Sequence, residues 1–201
     1  MKLFDKPSDY EAFANLLADA AERVPGVRLL GYCLMPNHWH LILWPRAEGE
    51  LSAYMKWLTN IHVRRFRQDW HSVGEGHVYQ GRFKSFPVQD DPHFLTLLRY
   101  VEGNALRSRL VRRAENWKWS SLTDPFSPDG RLLLAKSPLP RPANWIALVN
   151  QPMEAEALAS ARECVKRGRP FGGEKWVNRT ATRLGLYFTL RPRGRPRKEV
   201  D

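Results

Sequence analysis

Two groups in this 201-residue chain combine residue types and spacings that could do chemistry. The first is His38-Trp39-His40, inside the run YCLMPNHWHLILWP. In a β-strand alternate side chains share a face, so His38 and His40 point one way and Trp39 the other. Their Cα atoms then lie ~6.6 Å apart at about 3.3 Å rise per residue, close enough for both imidazoles to reach one metal ion. Alone, a His-x-His is more often two histidines near a strand end than a metal site. The second group is Tyr100 and Asn104, whose spacing makes them neighbours on one side of a helix. A phenol with pKa about 10 is a poor nucleophile at neutral pH unless something activates it. A divalent ion on His38 and His40, with Asn104 as an oxygen ligand, would leave positions open for phosphate oxygens. It could then polarise a phosphodiester against the Tyr100 hydroxyl. Taken alone, a helix tyrosine more often packs its ring on a neighbour and shows its hydroxyl to water.

These residues need elements to hold them. Residues 8–22 read as an amphipathic helix, with Ser8 as N-cap and Glu11 closing a capping box. Val27–Met35 and His38–Trp44 are β-rich runs around the turn signal Pro36-Asn37, most simply an antiparallel hairpin. Residues 51–70 place Leu51, Tyr54, Met55, Leu58, Ile61 and His62 at helical spacing, with Lys56, Asn60, Arg64 and Arg67 opposite. Residues 77–89 read as a third extended segment with a basic middle. Asp91 as N-cap and Pro92 at N1 open a helix to about Val111. Its apolar stripe is Phe94, Leu97, Leu98, Val101 and Ala105; Tyr100 and Asn104 lie on the flank, and Gly103 opposite the stripe reads as a surface glycine. Residues 122–144 hold five prolines and little periodicity. Helices follow at about 152–167 and 174–185. This gives a domain at 1–121, a Pro-rich linker at 122–151, a basic helical region at 152–190 and a basic tail at 191–201.

Net charge is +11 and the pI near 10, with arginine the dominant cation. Arginine favours bidentate phosphate contacts. Residues 51–120 and 152–201 each carry twice as many basic as acidic side chains, while residues 1–50 are slightly acidic. With eight tryptophans, this suggests a nucleic-acid surface with stacking platforms; a solubility charge is the alternative. Cys33 and Cys164 are far apart and lack metal-ligand spacing, which argues against a disulfide framework. The N-terminal MKLFDKPSDYEAF has no apolar core of a signal peptide. No apolar run approaches the ~20 residues of a membrane span, so a cytoplasmic, nucleoid-associated protein is expected.

YCLMPNHWHLILWP, GRFKSFPVQ, LLRYVEGNALRSRLV, WKWSS, GRPFGGEKWVNRTATRLGL and LRPRGRPRK, in that order, resemble the REP-associated tyrosine transposases. These are relatives of the single-tyrosine HUH transposases of bacterial insertion sequences. The resemblance implies an α+β fold, a ferredoxin-like antiparallel sheet with helices on one face, plus a C-terminal basic helical extension. It maps the metal-binding histidines onto His38 and His40, the nucleophile onto Tyr100 and a third metal ligand onto Asn104. It implies Mg2+ or Mn2+, a 5′-phosphotyrosine intermediate with a free 3′-OH, and single-stranded or hairpin DNA from palindromic repeats as partner. Arg64, Arg65, Arg82, Lys84 and Arg107 are expected to contact the DNA backbone, by charge and position only. Relatives read Tyr-Ile-His-x-Asn-Pro where this chain has Tyr100-Val101-Glu102-Gly103-Asn104-Ala105, which keeps the Tyr-to-Asn spacing. Relatives also begin with a strand and an Arg-Gly-Asn-like turn before the first helix, whereas this chain starts almost at that helix. The first strand is therefore expected to be missing, leaving ladder groups exposed.

Arg193-Gly194-Arg195-Pro196-Arg197 is similar to an AT-hook core, able to lay Arg193, Arg195 and Arg197 along an A·T-rich minor groove. A solvated tail giving only salt-sensitive phosphate attraction is the equal alternative. Two other functions stay open: a domesticated protein that binds palindromes without turnover, and a water-using metal hydrolase, which would draw on Glu48 or Glu50. The chain is expected to be a monomer or homodimer.

Overall fold

The computed structural model describes residues 2–69, 77–79, 81–123, 127–131 and 133–191. Arg193, Arg195 and Arg197 therefore lie outside the described residues. The chain divides into two compact units, Met1–Phe83 with Leu95–Met153, and Lys84–Phe94 with Glu154–Asp201. Residues 122–151, read from sequence as a linker, thus belong to the first unit.

The first unit is built on a hairpin. Strand β1 (Val27–Met35) pairs antiparallel with β2 (His38–Pro45), and Met35 faces His38 across the Pro36-Asn37 turn. Helix α1 (Pro7–Arg23) precedes it and α2 (Glu50–Asp69) follows. The first helix begins earlier than the Ser8 cap implied. Lys6 is the N-cap, Pro7 takes N1, and the Asp9 carboxylate accepts the backbone N–H groups of Asp5 and Lys6 at 2.9 and 3.1 Å. Proline loses nothing at that position, whereas Ser8 inside the first turn has no such role.

α1 and α2 cover the Trp39 face of the hairpin. Phe13, Leu16, Leu17, Leu34, Tyr54 and Leu58 form the buried core there, with Trp39, Leu41 and Leu43 packed against it. Helix α3 (Pro92–Glu102) and the short α4 (Asn104–Arg107) lie on the other face. A Cβ added to Gly31 would stand 2.5 Å from a Leu98 methyl, so glycine lets α3 seat on the sheet. The class is α+β, as read, but helices occupy both faces of the hairpin rather than one. The cause is the burial of Leu97, Leu98 and Val101, for which the His38 face offers the apolar cover.

Among the described residues the sheet has two strands. The free edge of β1 is nonetheless satisfied. Leu34 N–H donates to Trp119 O at 2.8 Å, Ser121 N–H to Tyr32 O at 3.0 Å and Ala135 N–H to Leu29 O at 2.8 Å. Residues after α4 thus cover the ladder groups expected to be left open. The WKWSS tryptophans are structural: Trp117 Nε1–H donates to Leu34 O at 2.9 Å and Trp119 stacks on Tyr10 at 4.9 Å. Helix α5 (Trp145–Asn150) completes the unit.

The second unit has helices α6 (Ala155–Arg167) and α7 (Glu174–Arg183). The extended reading of 77–89 reduces to one bridge, Val88 to Phe171. Gln89 N–H donates to Phe171 O at 2.9 Å, and the Gln89 side chain accepts from Gly173 N–H at 2.9 Å.

Candidate active site

The hairpin turn places the two histidines. Their rings stand 5.0 Å apart at 87° on one face of β2, while Trp39 stacks on Phe13 in the core behind them at 6.0 Å. Strand alternation and the demand of Trp39 for burial therefore fix which way the histidines face. The side chain of Asn37 completes the arrangement. Its Oδ1 lies 2.7 Å from His38 Nδ1 and takes that proton, leaving the Nε2 lone pair of His38 free to accept. Burial lowers the His38 pKa, and burial, then His38 and Arg107, push that of His40 down to about 4. Both imidazoles are thus neutral at pH 7, the form that can ligate a metal.

α3 and α4 bring the second group to the same face. The Tyr100 ring centroid lies 5.9 Å from that of His40, and the Asn104 amide nitrogen is 3.3 Å from His38 Nε2. The four residues paired by sequence reasoning therefore meet. Tyr100 and Asn104 are each 8% exposed, so the helix flank on which they lie is covered by the strand. Gly103 is buried too, not a surface glycine. A Cβ there would stand 2.9 Å from the Arg107 guanidinium and 3.0 Å from the Arg99 carbonyl.

Arg107 folds back over this site. Its guanidinium carbon is 4.4 Å from the Tyr100 ring centroid, and its Nη2 donates to the Tyr100 carbonyl and, at 3.5 Å, to Asn104 Oδ1. The other basic residues singled out by sequence are spread more widely. Arg64 is exposed and lines a surface groove along α2 with Lys56, Trp57 and Asn60. Arg65 is 3.8 Å from Asp19, and Arg82 and Lys84 are exposed.

Asn37 and Glu102 were not found by sequence reasoning. Glu102 is fully buried at the end of α3, midway in sequence between Tyr100 and Asn104. Its carboxylate accepts from Ser121 Oγ at 2.8 Å, from Trp145 Nε1 at 2.7 Å and from Arg141. Ser121 Oγ in turn accepts from Tyr32 N–H at 2.9 Å, so the carboxylate ties α3 to β1. Burial raises the Glu102 pKa against the pull of Arg141, Trp145 and Ser121. These partners lie 19 to 43 residues away in sequence, which no local spacing reveals.

His38, His40 and the Asn104 amide could hold a divalent ion. Among the described residues no group of three His, Cys, Asp or Glu side chains is placed to do so. The Asn104 amide stands beside His38 instead, its nitrogen toward Nε2 and its Oδ1 toward Arg107, so the oxygen would reach an ion after the amide turns over. Glu50, the carboxylate a hydrolase would want, caps the turn after β2 instead, accepting from Arg46 and Ala47 N–H at 2.8 and 2.9 Å.

A strand-borne histidine pair thus faces a helix-borne tyrosine four residues before an amide. The transposase IS200-like family model matches residues 1–104, which contain all four residues, and the chain belongs to that family. Comparison with curated proteins and with solved structures returned no match. Among the described residues no helix is long and apolar enough to cross a membrane.

Proposed function

We propose that this transposase nicks and rejoins single-stranded DNA through a 5′-phosphotyrosine at Tyr100, with palindromic hairpin repeats as substrate, like the REP-associated enzymes it resembles. The observation that carries the reading is the meeting of His38, His40, Tyr100 and Asn104 on one face of β2. Mg2+ or Mn2+ bound by His38, His40 and Asn104 would supply charge neutralisation and polarisation of the scissile phosphate. The chain's own residues do the rest. Asn37 holds the His38 tautomer, and burial keeps both imidazoles neutral. Arg107, over the Tyr100 ring, sets a cation beside the attacking side chain, where the phosphate charge would lie. The Tyr100 oxygen bonds to phosphorus as the bond from phosphorus to the 3′-oxygen breaks, and that oxygen leaves as a free 3′-OH once protonated. Attack by a 3′-OH on the phosphotyrosine reverses the step, so no nucleotide triphosphate is consumed. Arg64, Arg65, Arg82 and Lys84 serve backbone phosphates, and Arg193, Arg195 and Arg197 serve the duplex arm.

One observation favours a second reading, binding without turnover: Tyr100 is almost fully buried under Arg107. Labelled single-stranded hairpin DNA with Mg2+ separates the two. A denaturation-resistant adduct that disappears in Tyr100→Phe supports the transposase chemistry. DNA that is shifted but uncut supports binding alone, and cleavage persisting in Tyr100→Phe would assign the step to water.

A further inference from the structure

α7 and the turn after it lie beyond the residues matched to the transposase family. Their surface is unusual in two ways. Lys175, Arg179 and Arg183 follow one another at successive helical turns and are all exposed, while Val177, Thr180 and Ala181 are buried. Glu174 is the one acidic residue of the helix. α7 then stops at Gly185, whose φ of +65° reverses the chain, with Leu186 N–H returning to Ala181 O at 2.7 Å. Thr189 is buried and its hydroxyl donates to Leu186 O at 2.6 Å, which winds residues 187–190 into a tight 3-10 turn. That turn holds two adjacent aromatic rings in solvent. Tyr187 is 56% exposed and Phe188 58%, with centroids 6.5 Å apart, and the Arg191 guanidinium lies 5.1 Å from the Tyr187 ring.

A folded chain gains nothing by ordering two large rings in water, so a patch of this kind marks a contact surface. Its charge decides the partner. Cations along the helix that leads to it, in a protein of net charge +11, fit a polyanion. Exposed ring faces beside a cationic track fit a polyanion whose bases are unpaired, because a base can stack on a side chain only once it leaves its duplex neighbours. We propose that Tyr187 and Phe188 form a stacking platform for unpaired DNA bases, with Lys175, Arg179, Arg183 and Arg191 following the backbone. The proposal rests on the reading of single-stranded DNA as substrate but not on the role of Tyr100.

The test is fluorescence anisotropy of the full chain with a labelled oligothymidylate of about 20 nucleotides and with a blunt duplex of the same length. The double variant Tyr187→Ala/Phe188→Ala is expected to bind the single strand roughly 10- to 100-fold more weakly, with duplex affinity nearly unchanged and the same salt slope. Tyr187→Trp should retain wild-type affinity. Lys175→Ala/Arg179→Ala/Arg183→Ala should flatten the single-strand salt slope by about 2. Equal single-strand affinities for wild type and the double variant would overturn the platform, as would an equal loss on duplex. A dimer that becomes monomeric in the double variant with DNA affinity unchanged would assign the patch to a second copy of the chain. The readout is binding and not cleavage, so a failure of the cleavage chemistry leaves this outcome readable.

Discussion

The two faces of β2 each set a histidine beside a tyrosine, and the two settings differ in what their polar atoms do. On the core face, Trp39 Nε1–H donates to the Tyr79 hydroxyl at 3.1 Å, and that hydroxyl shares a hydrogen bond with His62 Nδ1 at 2.6 Å. The His62 ring packs against Phe4 at 5.6 Å and Phe13 at 4.8 Å. Burial pushes the Tyr79 pKa up to about 12 and that of His62 down to about 4. Trp39 Nε1, the Tyr79 hydroxyl and His62 Nδ1 are all occupied in holding an aromatic core together. On the opposite face, His38 and His40 pair with a tyrosine through ring contact, and Asn37 directs the lone pair of His38 toward Asn104. A histidine next to a tyrosine is therefore not itself a site. What separates the two is that one pair is joined by a direct hydrogen bond and the other by ring contact alone.

That contrast can be broken by substitution. If the proposed site is right, His40→Ala should lower adduct formation by about a thousand-fold or more, since a bound ion would lose one of its ligands, while melting temperature changes little. If His40→Ala unfolds the protein, the face is structural. Trp39→Ala should do the reverse, costing about 3 kcal/mol in urea unfolding through the cavity against Phe13 and the lost bond to Tyr79. The third test is pH. His62 has a folded pKa near 4, below the unfolded value of about 6.5, so the unfolded state binds the extra proton between them. Stability from this group is complete above pH 6.5 and lost as pH falls toward 4, by up to about 3 kcal/mol. His62→Leu should remove that part of the pH dependence in urea titrations between pH 7.5 and 4.5. The smallest effect belongs to the far side of the tyrosine helix. Glu102→Gln puts an amide among three donors and should cost about 1–2 kcal/mol by thermal unfolding.

The hairpin was legible because its signals agree: alternation through His38–Trp44, two turn residues and β-branched or aromatic flanks. Both site groups were legible for the same reason, their spacings being those of one strand and one helix. The end of the tyrosine helix was not. Sequence periodicity continues to Val111, but α4 closes at Arg107 and Arg109 takes φ +59° without the glycine that would announce it. Arg107 was expected at a phosphate because it is a cation on a helix flank. Its place over Tyr100 depends on the close approach that Gly103 permits, a tertiary fact. The tryptophans misled in the same way: Trp39, Trp117, Trp119 and Trp145 are all engaged in packing or hydrogen bonds, and the most exposed aromatic rings among the described residues are Tyr187 and Phe188. Composition counted the aromatic rings but could not say which of them the fold would bury.

The central claim is that the tyrosine facing the histidine pair, and not the tyrosine of the core, becomes bonded to DNA. Incubation with hairpin DNA and Mg2+, nuclease trimming, tryptic digestion and mass spectrometry tests this directly, because trypsin releases Tyr100 on the peptide spanning residues 100–107. A nucleotide remnant is expected on that peptide, lost in Tyr100→Phe and retained in Tyr79→Phe. A remnant on the Tyr79 peptide, or nicked DNA with no remnant on any tyrosine, would contradict it.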